Sequence, residues 1–274
     1  MNDLEVGCKL GILRINILVY ADDIVIIGNN IQALELIYCK LASCLEELKL
    51  ILNKNKSKCM IFDNSRYGSN MQEVRLGNDT LECVTEYKYL GHVVQRNLDD
   101  AKDIENKLLQ FYSKFNVVFR KFKSVSTEVM FYLFNSYCLP EYGLALWNIT
   151  EQRGKHIFKV FRTAFHNAFK RMVGASVYHS SHNIAIHCKQ LLFEHYITVV
   201  QTRYFKRVIK SKNSLLMLCH PYLKAGYHMS GLFKLIRNFY NMSFMESDLD
   251  VIRARISYVQ RNENQTGVQF FAVE

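Results

Sequence analysis

The sequence predicts an α+β chain, and three observations carry that prediction. Short runs rich in Ile and Val near the N-terminus have the length and composition of strands. The turn-rich stretches DNSRYGSN and GNDT separate further short apolar pieces. Near residue 97 the hydrophobic period changes, and apolar residues then recur every three or four positions, as on a helix face.

Residues 15–20 (INILVY) and 24–28 (IVIIG) read as a buried hairpin, with three residues left between them for a tight turn. Asn29 followed by Gln32 resembles a capping box, and Leu34, Tyr38, Leu41, Leu45 and Leu48 then recur at spacings of four and three. That pattern predicts an amphipathic helix covering one face of a sheet. Strand-like pieces follow at 58–62, 73–76, 81–84 and 87–94. Ile104, Leu108, Phe111, Phe115, Val118 and Phe122 then mark one helix. Ser126 is placed to cap a second, which must stop before Pro140. A third is predicted over 153–173, with Phe158, Phe161, Phe165, Phe169 and Met172 on one face and Gly174 to end it; Lys155, Lys159, Arg162, Lys170 and Arg171 fill its polar positions. Amphipathic patterns at 183–211 and 229–241 predict further helices, and the polar tail RNENQTGVQF is expected to fray. The resulting division is 1–97 (α+β), 98–210 (helical) and 211–274 (a helical C-terminal extension).

With 274 residues, 49% of them hydrophobic, the chain is long enough to bury a substantial core. No apolar run reaches the roughly 20 residues that span a bilayer, and MNDLEVGCKL lacks a signal pattern, so a soluble protein is expected. Eight scattered cysteines without a C-x-x-C pair suit reduced thiols in an intracellular compartment, nuclear or cytoplasmic. Charge is uneven: residues 1–100 carry 11 Lys/Arg against 14 Asp/Glu, while 101–274 carry 24 against 11. A helical region with net charge +13 suits a polyanion such as nucleic acid, although surplus lysines also solubilise helices.

The stretch NILVYADDIVIIG sets Asp22 beside Asp23 at the hairpin tip. Two carboxylates about 4 Å apart repel by ~1 kcal/mol in water and ~4 kcal/mol at an effective dielectric of 20. A divalent cation reverses that sign, and Mg²⁺ characteristically combines a few carboxylates with substrate phosphates. The ordinary alternative is a soluble Asp-rich turn. The apolar strands on both sides, with Tyr20 and Ala21 before the pair, favour the first reading.

Tyr20-Ala21-Asp22-Asp23 resembles the Y-x-D-D motif of reverse transcriptases, in the YADD form of non-LTR retrotransposons. LNKNKSKCMIF (52–62) resembles the next block of those polymerases. YKYLGHVV (87–94) resembles the hairpin that grips the primer end, and FNSYCLPEYGLALW (134–147) resembles the thumb helix and turn of jockey-like and chicken-repeat-like elements. The four blocks occur in the family's order, and weaker similarity (FRTAFHNAFKRMVG, 161–174) continues to about residue 210.

The resemblance implies a truncated polymerase palm, antiparallel strands with a covering helix, followed by an all-helical thumb-like region. Asp22 and Asp23 would carry catalysis and bind Mg²⁺, with Tyr20 and Ala21 shaping the turn near the primer terminus. Lys56 and Lys58 would lie beside the incoming nucleotide. Tyr89, Leu90 and Gly91 would form the primer-grip turn, and Lys114, Arg120, Lys121 and Lys123 would follow the phosphates of an RNA template and DNA primer. A solvated lysine loop, an ordinary Gly-containing turn and a solvated helix face are the plain alternatives for these groups.

The pattern also breaks. The family has another metal-binding Asp on an earlier strand, whereas Asp3 and Glu5 are the sole acids before Tyr20 and neither lies in that motif. The fingers and first half of the palm are therefore expected to be absent, Mg²⁺ binding to be weak or absent, strands to lie exposed as edges, and the isolated chain to be inactive. A non-catalytic nucleic-acid binder and a decayed product with neither activity are the competing expectations. His179, His182, His187 and Cys188 offer zinc-ligand types at a spacing that matches no standard finger.

Overall fold

In the computed structural model, residues 6–10, 13–62, 72–139, 142–148, 152, 154–214 and 216–217 are described. The expected helix at 229–241, with almost all of the 211–274 extension, lies outside them. The chain divides into two compact units between Asp99 and Asp100.

Among its described residues the first unit has four hairpins and one helix. β1 (Cys8–Leu10) pairs with β2 (Leu13–Ile15), β3 (Ile17–Tyr20) with β4 (Asp23–Ile26), β5 (Glu73–Leu76) with β6 (Asp79–Glu82), and β7 (Glu86–Tyr89) with β8 (His92–Gln95), each as an antiparallel two-stranded ladder. Helix α1 spans Ile31–Glu47. Its cap is Asn30, one residue later than the sequence pattern placed it, because the Asn30 side chain accepts the N–H of Ala33 at 2.7 Å.

Ala33, Ile37, Tyr38 and Leu41 form the buried stripe of α1, while Leu48 lies beyond its last turn and is exposed. Two side-chain bonds hold α1 to the β5–β6 hairpin. The Tyr38 hydroxyl donates to Asp79 Oδ2 at 2.7 Å, and Glu35 Oε1 accepts the Gly77 N–H at 3.2 Å. Beneath them Tyr38, Cys59, Val74, Leu76 and Leu81 form a small core.

Several strand expectations need correction. Residues 58–62 do not form a strand: Cys59 makes a single parallel bridge to Cys83, donating to Glu82 O and accepting from Val84 N, both at 2.9 Å. The chain before it is curled, with Ser57 N–H bonded to Asn53 O, so little of it can run along a sheet edge. The piece placed at 81–84 pairs as Asp79–Glu82, because Gly77 and Asn78 make the turn. The β3–β4 hairpin is not buried: Val19 is 61% and Tyr20 66% exposed. Each of those strands pairs only with the other among the described residues, the exposed-edge state expected of an unflanked ladder.

The second unit is helical. It comprises α2 (Ala101–Lys121), α3 (Thr127–Leu133) running into a π-helical turn (Phe134–Cys138), a 3₁₀ turn (Leu144–Leu146), α4 (His156–Met172), α5 (Ser181–His187) and α6 (Phe193–Lys210). Ser126 caps α3, accepting from Val129 N at 3.4 Å. The predicted apolar faces of α2 and α4 are buried, apart from Phe122, which follows α2 and is 40% exposed. Their rings interlock: Phe165 has Phe169 at 5.1 Å, Phe193 at 5.3 Å and Phe134 at 5.5 Å.

The single helix expected over 183–211 is two. After α5, Lys189 turns left-handed at φ 54, and the N–H groups of Gln190 and Lys189 bond to Ala185 O and Ile186 O. These two bonds close a Schellman motif. The same pair of bonds ends α1, with Lys49 at φ 56, and α4, with Gly174 at φ 66. Glycine announces such a stop in the sequence; lysine gives no warning.

Polar bonds fix the segment between α3 and α4. The Trp147 indole donates to the buried Asp103 Oδ2 at 2.8 Å, Asn148 N–H to Asp100 Oδ2 at 2.7 Å, and Gln201 Nε2 to Trp147 O at 2.8 Å.

Helix α6 lacks a side-chain cap from Leu192; instead His166 Nε2 accepts the Phe193 N–H at 3.3 Å. That lone pair exists only on the neutral ring. Burial, then the positive charges of Arg162 and Lys170, lowers His166 to about 4. As pH falls through about 6.5 the unfolded chain takes up this proton while the folded chain resists until about 4. The stability supplied above pH 6.5 is therefore lost across that window, by about 3 kcal/mol. Urea midpoints at pH 7 and 4.5 should show the loss, and His166→Gln should remove this part of the slope.

Candidate catalytic and nucleic-acid sites

The acidic tip follows from the register of β3 and β4. Tyr20 pairs with Asp23, so the connecting turn has two residues, Ala21 and Asp22, one fewer than the sequence reading allowed. Ala21 stands at φ 53, a left-handed conformation that L residues seldom adopt and that costs of order 1–2 kcal/mol. Tyr20, Ala21, Asp22 and Asp23 are all exposed. From below, β4 is anchored by Ile26, which packs on the Tyr38 core. The result is a strained turn presenting adjacent carboxylates to solvent.

Asp22 and Asp23 offer Mg²⁺ hard oxygen ligands of the right kind, but among the described residues no three His, Cys, Asp or Glu side chains converge on one point. Two exposed carboxylates alone would hold the ion weakly without phosphate oxygens beside them. No three of His179, His182, His187 and Cys188 converge either, and the seven described cysteines carry free thiols.

The lysine segment is fastened to the strands that follow it. Lys54 pairs with Asp79 at 2.5 Å, and Lys58 with Glu82 at 2.6 Å. The backbone carbonyl of Lys56 accepts the Tyr87 hydroxyl at 3.2 Å. Hydrogen bonds from Lys54 and then Tyr38 hold the Asp79 carboxyl below the usual carboxylate range, and burial followed by the bond to Asp79 pushes the Tyr38 hydroxyl up. Of the two motif lysines, Lys58 is thus engaged by a carboxylate, while Lys56 is exposed.

At the β7–β8 turn, Leu90 and Gly91 have φ 46 and 78, the two consecutive left-handed residues of a type I′ hairpin. Tyr89 closes that turn opposite His92. In the helical unit Lys114, Arg120, Lys121 and Lys123 are exposed on the second half of α2 and just beyond it. The sequence reading treated Arg171 as a simple polar position. Its guanidinium in fact lies 4.7 Å from the Phe119 ring centre and 5.3 Å from that of Phe115, with Nη1 donating to Asn116 Oδ1 at 3.4 Å. A lone Arg in a helix pattern carries no signal for such stacking.

Residues 1–94 match the family model for reverse transcriptase (RNA-dependent DNA polymerase). The reverse transcriptase match covers about a third of the chain, takes in the acidic tip, the lysine segment and the Leu90–Gly91 turn, and stops short of the helical unit. No curated protein and no solved structure matches the chain. No helix among the described residues is long and apolar enough to cross a membrane.

Proposed function

We propose that the chain is the C-terminal palm (1–97) and thumb-like region (98–210) of an RNA-directed DNA polymerase from a non-LTR retrotransposon, a piece that holds template-primer without extending it. The observation that carries this reading is the reverse transcriptase match over residues 1–94, with Tyr20-Ala21-Asp22-Asp23 within it at an exposed hairpin tip. In the complete polymerase, Asp22 and Asp23 would hold Mg²⁺, whose charge would offset that of the incoming triphosphate. Here Asp22 and Asp23 supply carboxylate oxygens for that role, and Lys56 a phosphate-directed ammonium. The Leu90–Gly91 turn sets backbone close to the primer strand, and the α2 cations run along phosphates.

The alternative, a non-catalytic nucleic-acid-binding remnant of a retrotransposon, rests on the +13 charge of residues 101–274. Purified chain should bind a labelled template-primer at low salt, Asp22→Asn should bind it equally, and neither should incorporate nucleotide with Mg²⁺. Asp22-dependent incorporation would refute the inactivity. Absence of template-primer binding by the wild type would refute the reading as a whole.

A further inference from the structure

We propose that the turn following α4 is a contact for an unpaired nucleic-acid strand, with Tyr178 stacking on a base and Arg171, Arg120, Lys121 and Lys123 engaging neighbouring phosphates. The proposal rests on the nucleic-acid-binding part of the function above and narrows its ligand to a single strand.

The backbone of this turn is fixed from several sides. Gly174 and Ala175 N–H groups bond back to Arg171 O and Lys170 O, His179 N–H to Ser176 O at 3.1 Å, and Tyr178 N–H to Ser176 Oγ at 3.4 Å. Lys170 Nζ reaches over to donate to Val177 O at 2.6 Å. On this braced loop Val177 is 69% and Tyr178 94% exposed. An aromatic ring left almost wholly in water on a rigid backbone has most of its face free for a partner and little backbone order to lose on binding.

The chemistry around it selects that partner. Arg171, in the last turn of α4, is stacked against Phe119 and bonded to Asn116, so the end of α4 lies beside the stretch of α2 that continues into Arg120, Lys121 and Lys123. A helix end carrying its own basic residues would satisfy the local dipole without any exposed aromatic. An exposed tyrosine on the turn that leaves this helix end, with Arg171, Arg120, Lys121 and Lys123 also exposed, instead offers a stacking platform and phosphate neutralisation, the two elements that hold single strands. Inside a duplex the base faces are occupied by their neighbours, so away from duplex ends the Tyr178 ring finds a stacking partner where bases are unpaired.

Fluorescence anisotropy distinguishes the roles, using a labelled uridine-rich RNA of about 20 nucleotides and a blunt duplex of equal length. Tyr178→Ala, with an unchanged circular dichroism spectrum, is expected to weaken single-strand binding about tenfold and duplex binding less than about twofold, while Tyr178→Phe retains both. Arg171→Ala should weaken both ligands and reduce the salt slope by about one. Wild-type binding to duplex but not to the single strand, a Tyr178→Ala variant within about twofold of wild type on the single strand, equal losses on both ligands, or an unchanged slope in Arg171→Ala would overturn the inference and leave the proposed function standing. A wild-type chain that binds neither ligand would overturn both.

Discussion

Phe165→Ala is expected to lower the stability of the helical unit by about 3–5 kcal/mol, the range for truncating a buried Phe. Phe165 is 2% exposed and touches four rings from three other elements: Phe111 on α2, Phe134 on the π-helical turn, Phe193 and Tyr196 on α6. Removing it opens a cavity where these elements meet, and rigid neighbours can collapse into it only in part. The loss approaches the whole stability of an ordinary domain. Urea denaturation followed by far-ultraviolet circular dichroism should give either a sharply lowered midpoint or no cooperative transition; a shift worth less than about 1 kcal/mol would show that Phe165 does not knit these helices together.

Combined substitution of Lys114, Arg120, Lys121 and Lys123 by Ala should have the largest effect on template-primer affinity. Each phosphate contact contributes about 0.9 to the slope of log affinity against log salt. Four such contacts cost about 100-fold in affinity between roughly 50 and 200 mM salt, and their removal should flatten the slope by three to four. All four side chains are exposed, so the fold should be undisturbed. Isotherms measured across that salt range decide the matter: an unchanged slope would mean that these cations merely solvate α2 and the turn after it.

The parts of the fold that the sequence made readable are those where one physical signal dominates. Phe158, Phe161, Phe165, Phe169 and Met172 all became buried because a three-and-four spacing leaves a helix one apolar face. The stop at Gly174 was readable since only glycine enters the left-handed region freely. Lys49 and Lys189 take the same conformation without that signature, so the break between α5 and α6 was invisible. The hairpin at Asp22 was found from its β-branched strands, but its exposure was not, because apolar composition reports what a strand pair is suited to contact rather than what contacts it.

For the candidate site, sequence pattern supplied residue types and order: the carboxylate pair, the lysine segment and the Leu90–Gly91 turn. It was silent about which cations are already engaged. Lys58 is matched by Glu82, 24 positions away, and Arg171 is stacked on rings from another helix. Tyr178 was passed over because an exposed tyrosine in a loop leaves no periodic trace.

Trp147 is the chain's sole tryptophan, and it is 2% exposed, with its indole bonded to Asp103 in the helical unit. Its emission is therefore a built-in spectroscopic label for that unit alone. When the Asp103 bond breaks and water reaches the ring, the spectrum should move to the red, whereas melting of the β-hairpins around Asp22 should leave it unaltered. Unfolding of the helical unit can thus be told apart from that of the hairpins in the same cuvette without attaching a dye.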